Sequence, residues 1–257
     1  MRVCALQMDV KKGDRAANHA KVRRLAAEAA SLCSPDVIVL PELWSTGYAL
    51  EQASALADEL GDAAFLGGLA RELGTSFAGG SVLAADGGTF FNRAQVIDSE
   101  GRYASSYDKI HLFRLMEEDR FLAPGSRLSL FDLGGQHCSS VICYDIRFCE
   151  LPRLLAVEGA ECLFVSAEWP IPRVGHWRTL LQARAIENQM FVAACNRCGI
   201  TEGTEFAGHS MLVAPDGTVL AEAGTDEAII WADFDPEHIR RTRAQISVFT
   251  DRMPELY

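Results

Sequence analysis

The chain has 257 residues, a formal net charge of −11 and 49% hydrophobic residues. That length can bury a sizeable core, and the composition excludes general disorder. The negative balance argues against a nucleic-acid phosphate backbone or an anionic membrane surface as a partner.

Apolar runs such as residues 37–40 are far shorter than the ~20 residues a membrane span needs. Asp9 closes the short N-terminal apolar run and no small-residue cleavage site follows. A secretory signal is therefore not expected, and a cytoplasmic location is. The eight cysteines are then expected to be reduced, and mostly packing residues.

Residues 3–8 read as a first strand. A helix is expected over 16–31, where Val22, Leu25, Ala29 and Leu32 recur at helical spacing. Pro35-Asp36 breaks it, and 37–40 is a buried-strand run ending at Pro41. A second helix is expected over 62–73, between Gly61 and Gly74. Strands over 76–84 and 90–98 flank Asp86-Gly87-Gly88, a hairpin signal. Residues 108–127 are polar and irregular, and loops that long are often functional.

Beyond the loop, a strand over 137–142 leads to Cys143. A helix over 148–159, a strand over 162–166, a helix over 175–189 and a strand over 191–195 follow. Pro215-Asp216-Gly217-Thr218 joins strands 210–214 and 219–223, and 229–234 closes the set. A polar helix and an extended tail end the chain. With no internal repeat or Gly/Ser linker, residues 1–257 read as one α/β domain. The two hairpins speak against a purely parallel barrel.

Three ionisable residues sit where the chain leaves a strand. Glu42 directly follows the run 37–40, at a sheet edge where α/β folds bind ligands and where desolvation favours a general base. Alone, it reads as an exposed loop acid. Lys109, in Tyr107-Asp108-Lys109-Ile110-His111, is the only lysine after position 21. Its compact ammonium suits a developing oxyanion, and the alternative is a solvated loop lysine. Cys143, in Val141-Ile142-Cys143-Tyr144-Asp145, passes from a strand into a turn and helix. That is the layout of a nucleophile elbow, and the alternative is a buried packing cysteine.

Together, in the order Glu, Lys, Cys, these segments resemble the nitrilase (carbon–nitrogen hydrolase) superfamily over essentially the whole chain. Pro41 to Tyr48, Tyr107 to Phe113 and Ile142 to Phe148 are similar to its three catalytic motifs. Ala183 to Gln189 and Ala207 to Ser210 are also familiar from it. Ser166 to Pro170, Phe206 to Ser210 and the tail from Ile246 resemble the omega-amidase branch, which includes 2-oxoglutaramate amidases. Ser247 departs from the proline of many relatives, away from the motifs.

The resemblance implies a four-layer α-β-β-α sandwich and a homodimer or higher homo-oligomer, with the tail suited to cross-subunit contact. It implies thioester chemistry without metal or organic cofactor. Cys143 is then the nucleophile and Glu42 the general base, while Lys109 and the Tyr144 N–H hold the oxyanion. Either Glu117 or Glu118 completes the site, with Glu118 favoured by its distance from Pro124-Gly125.

The expected substrate is a small linear amide. Its free carboxylate would need a cation, for which Arg147 and Arg173 are candidates. A structural ion pair with Asp145 competes for Arg147. Glu168, Trp169 and His176 are further pocket candidates.

Other readings carry less. Cys195-Asn196-Arg197-Cys198 is a C-x-x-C pair without a second pair, so packing is favoured over zinc or redox chemistry. None of the six histidines sits in a cysteine-protease motif. A non-catalytic binding protein on the same scaffold, and a hydrolase of carbamoyl compounds or nitriles, remain as alternatives.

Overall fold

A computed structural model describes residues 1–78 and 80–256. The first half contains β1 (Arg2–Gln7), α1 (Arg15–Cys33), β2 (Val37–Val39), α2 (Ala53–Leu56), α3 (Glu59–Leu73) and β3 (Ser76–Ala78). It continues with β4 (Ser81–Asp86), β5 (Thr89–Ile97), β6 (Tyr103–Asp108) and α4 (Glu118–Phe121). The second half contains β7 (Leu130–Leu133), β8 (Gln136–Ile142), α5 (Glu150–Val157), β9 (Cys162–Ala167), α6 (Val174–Asn188) and β10 (Phe191–Asn196). Five strands, β11 (Cys198–Thr201), β12 (Thr204–Ala207), β13 (Met211–Val213), β14 (Val219–Glu222) and β15 (Ala228–Asp233), lead to α7 (Pro236–Gln245).

Two mixed sheets result. One has the order β15-β1-β2-β3-β5-β4, with β6 also on β5; the other runs β14-β13-β10-β9-β8-β7. Each is built around three parallel strands, β1-β2-β3 and β8-β9-β10.

Residue alternation along these strands fixes the layers. Val3, Ala5, Val37 and Val39 face Cys162, Phe164, Phe191 and Ala193 in a core between the sheets. Their neighbours Cys4, Leu6, Ile38 and Leu40 point the other way, onto Val22, Leu25, Leu66 and Leu69 of α1 and α3. Leu163, Val165, Val192 and Ala194 likewise point out, onto Leu151, Leu155, Trp177 and Leu181 of α5 and α6. Both faces of the parallel strands are therefore largely buried, which is why β1, β2, β9 and β10 read as mostly apolar runs, while β8 also buries Ser139 and Ser140. The chain forms the α-β-β-α sandwich.

Several boundaries differ from the sequence reading. Leu32 is 60% exposed; the buried stripe of α1 ends on Cys33 instead. The second long helix starts three residues early, because the Asp58 carboxylate accepts the Gly61 N–H and caps it. The expected strand 76–84 is split into β3 and β4, and Gly79 lies outside the described residues. Strands β6 and β7 show mostly exposed or half-buried side chains, so no apolar pattern marks them.

The β11–β12 hairpin turns on Glu202 and Gly203, both at positive φ as a tight two-residue turn requires. The loop 108–127 contains a 3-10 turn at Arg114–Met116 and α4. The helix expected over 148–159 is preceded by a 3-10 turn, Cys143–Arg147. Cys149 is exposed, so it is not a packing cysteine.

Candidate active site

The strand ends converge on one edge. Glu42 lies three residues past β2, Cys143 directly after β8, and Glu168 directly after β9. Lys109 follows β6, which runs antiparallel to β5 as β3 does, and so exits on the β3 side. The Glu168 N–H donates to Glu42 Oε2 at 2.9 Å, joining the edges of the two sheets.

Cys143 has φ +46°, a left-handed conformation that a non-glycine residue adopts only under constraint. The constraint comes from Asp145. Its fully buried carboxylate accepts the Ile142 N–H at 3.0 Å, the Tyr107 hydroxyl at 2.8 Å and the His111 N–H at 3.0 Å. One side chain thus ties the elbow to the segment carrying Lys109. Tyr144 is the second residue of the 3-10 turn, where backbone N–H groups lack a carbonyl partner within the turn.

Lys109, Glu42 and Glu118 are each 0% exposed. Lys109 Nζ lies 2.7 Å from Glu42 Oε1 and 2.7 Å from Glu118 Oε1. An ammonium has three N–H bonds, so one remains. Glu42 Oε1 also accepts from Asn92 Nδ2 at 2.8 Å, and Glu118 Oε2 accepts the Phe113 N–H at 2.6 Å. The Tyr48 hydroxyl lies 2.9 Å from Glu42 Oε1 and 2.6 Å from Glu118 Oε1, and its one proton serves one of them at a time. Glu117 points outward and pairs with Arg120, so the buried member of the adjacent pair is Glu118.

Burial opposes the Lys109 charge, but Glu118 and Glu42 outweigh it and hold the ammonium form well above its ordinary range. Burial, reinforced by Glu118 and Glu42, keeps Tyr48 a protonated donor. The Cys143 thiol is buried near the Glu42 carboxylate. Burial first and the Glu42 charge second push its pKa well up, against an opposing effect of Lys109. The resting pair is therefore a neutral thiol beside a carboxylate, not a preformed thiolate.

A narrow cavity with about 10 Å³ of room opens onto Cys143, lined also by Phe113, Tyr144, Arg147, Glu168, Trp169, Pro170 and Arg173. That is roughly the space one water molecule needs, so the walls close tightly around Cys143. Arg147 does not pair with Asp145, whose oxygens are taken; its guanidinium sits 4.5 Å over the Trp169 ring. Arg173 lies 5.6 Å from the Phe113 ring centroid. Neither arginine has a carboxylate partner among the ion pairs of the described residues.

His176 is exposed and outside the cavity lining, with Nδ1 3.3 Å from Arg147 Nη1; it backs the arginine instead of facing the pocket. Glu168 is 1% exposed and held by Arg197 Nη1 at 3.1 Å. Burial, opposed by Arg197, lifts the Glu168 carboxyl to about 7.

Sequence reasoning missed three contributors. Tyr48 lay inside a quoted motif without a role. Asn92 is a buried polar residue within β5, and a polar side chain on an inward strand position is its one local signal. Arg197, inside the C-x-x-C pair, is 1% exposed and neutralises Glu168. The flanking cysteines are also buried, and Cys195 Sγ donates to the Leu6 carbonyl.

Residues 2–244 match the carbon-nitrogen hydrolase family. The chain is 43% identical to the 2-oxoglutaramate amidase of Bacillus subtilis, covering 99% of this chain and 98% of that one. It is 32% identical to human omega-amidase NIT2, covering 92% and 88%. Among solved structures, XC1258 of Xanthomonas campestris, a CN-hydrolase superfamily protein with an arsenic adduct in its active site, superposes with a TM-score of 0.92. That match has 29% identity and covers 98% of this chain and 97% of the other. With a matching fold and full-length similarity, this chain belongs to the carbon-nitrogen hydrolase family.

Proposed function

We propose that this enzyme hydrolyses the terminal amide of a small linear monoamide bearing a free carboxylate, 2-oxoglutaramate or a close analogue, through a thioester on Cys143. The observation that carries this reading is the fully buried Lys109 clamped between Glu42 and Glu118, beside the Cys143 thiol that opens onto the cavity. Glu42 takes the thiol proton as sulfur bonds to the amide carbon. The free Lys109 N–H and the Tyr144 N–H receive the oxyanion.

Collapse breaks the C–N bond, and protonated Glu42 gives its proton to the departing ammonia. Water then loses a proton to Glu42 and attacks the thioester. Sulfur leaves and recovers that proton, and the carboxylate product is released. Glu118 fixes the Lys109 ammonium throughout.

Arg147 and Arg173 supply the substrate-carboxylate site. Two guanidinium groups without carboxylate partners make the mouth of the pocket positive on a chain of net charge −11. The Trp169 ring and the Phe113 ring bracket the aliphatic stem. The names of the amidase relatives support the same substrate class.

The test is ammonia release from 2-oxoglutaramate, 2-oxosuccinamate, glutamine and a nitrile. Turnover of the 2-oxo amides is expected. Activity confined to the nitrile or to carbamoyl compounds would overturn the assignment.

We further read residues 1–257 as one catalytic domain acting in the cytoplasm, since a single inter-sheet core joins Val3 to Ile239. No helix among the described residues is long and apolar enough to cross a membrane. A homodimer or higher homo-oligomer is supported by exposed Ile246, Met253 and Leu256 in the tail; Tyr257 lies outside the described residues. Sedimentation velocity tests it, and a monomer at micromolar concentration would exclude it.

A further inference from the structure

The carboxylates around Cys143 differ in what they have left to offer. Both oxygens of Glu42 and both of Glu118 accept hydrogen bonds from the protein. Glu168 is different. Its Oε2 is held by Arg197 Nη1 at 3.1 Å, while Oε1 is buried with no donor among the described residues. Arg197 is itself anchored by Asp9, the Val10 carbonyl and Thr201, so the carboxylate plane is fixed.

Glu168 lines the cavity with Cys143 and is the only carboxylate that does. Its peptide N–H donates to Glu42 Oε2, so its backbone sits against the general base, and its side chain shares the cavity wall with Cys143. A buried carboxylate oxygen without a donor is costly, and a ligand N–H repairs it.

We propose that Glu168 Oε1 accepts an N–H of the scissile primary amide, making Glu168 the residue that selects amides over esters in this pocket. This rests on the amidase reading of Cys143. The carbonyl oxygen of the substrate faces Lys109 and Tyr144. One amide N–H then faces Glu42, which later protonates the nitrogen, and the other meets Glu168. An ester of the same acid presents no N–H there and leaves Oε1 unpaired. The other cavity walls offer cations and rings, not carboxylates, so no second side chain duplicates the contact.

The test compares kcat/KM for an omega-amide and the omega-methyl ester of the same acid. Both form the same acyl-enzyme, so kcat/KM isolates its formation. The variants are Glu168→Met, which removes the acceptor, and Glu168→Gln. In the isosteric Gln variant, Arg197 claims the single carbonyl oxygen and turns the NH2 group toward the substrate.

At pH 8, above the Glu168 value of about 7 so that its carboxylate is mostly ionised, the amide-to-ester ratio is expected to fall about 10- to 100-fold in both variants, the weight of one hydrogen bond to a charged acceptor. Glu168→Gln carries the test if Glu168→Met does not fold. Equal losses on both substrates would assign Glu168 a structural role through Glu42 or Arg197 and overturn the proposal. So would an unchanged ratio. A wild-type enzyme inert on both substrates would overturn the amidase reading itself.

Discussion

Lys109→Met removes the one cation that bonds both Glu42 and Glu118. Its Nζ sits 2.7 Å from an oxygen of each, and all three side chains are fully buried. Breaking a buried ion pair by deleting one partner costs about 3–5 kcal/mol, because the remaining charge is uncompensated. Here two carboxylates remain, and their repulsion at about 4–5 Å is on the order of 3 kcal/mol at an effective dielectric of about 20. The variant escapes part of that cost by taking up a proton, which it does more readily as pH falls.

The sign follows from both states. In the wild type the lysine pKa is raised by Glu118 and Glu42 over the opposing effect of burial. Its contribution is full below the ordinary lysine value near 10.4 and is lost only above it, so it is constant between pH 5 and pH 8. The destabilisation of Lys109→Met should therefore be larger at pH 8 than at pH 5. Urea unfolding of both proteins at the two pH values measures it.

Activity should fall at least about 100-fold at either pH, the usual loss for one oxyanion donor. Wild-type kcat in Lys109→Met, or a stability loss independent of pH, would refute the reasoning.

Other outcomes follow from the same geometry. Arg147→Met and Arg173→Met should each lower kcat/KM for a carboxylate-bearing amide by about 10-fold or more while affecting a neutral amide less. An unchanged preference would exclude that arginine. Limited iodoacetamide treatment at pH 7 should label exposed Cys149 before Cys143, as peptide mass mapping would show. Cys143 labelling should rise steeply with pH, because burial and Glu42 hold its thiol protonated. A fast, pH-independent reaction at Cys143 would show a resting thiolate instead.

Glu42 and Cys143 were legible because each follows a buried strand. Residues 37–40 are apolar on both faces, so Glu42 stands out after them, whereas 137–142 carries Ser139 and Ser140 and only Val141-Ile142 lead apolar into Cys143. Lys109 was legible for a weaker reason, its isolation in a lysine-poor chain; β6, which delivers it, has no apolar pattern. Glu118 needed a count along the chain, since Glu117 beside it has the same chemistry and only packing separates them.

Asn92 and Arg197 act through contacts 26 and 188 residues away in sequence, and Tyr48 reaches Glu118 across 70, which no local pattern encodes. His176 shows the reverse error. It is expected in the pocket, yet it lies on the exposed first turn of α6 against Arg147 and outside the cavity lining.

The central claim is that Cys143 carries the acyl group. Intact-protein mass spectrometry of enzyme acid-quenched during turnover of 2-oxoglutaramate tests it most directly. The account predicts an adduct equal to the substrate minus ammonia, mapped to the Cys143 peptide and absent from Cys143→Ala, which should fold but release no ammonia. Ammonia release at the wild-type rate from Cys143→Ala, with no adduct on the wild type, would contradict it.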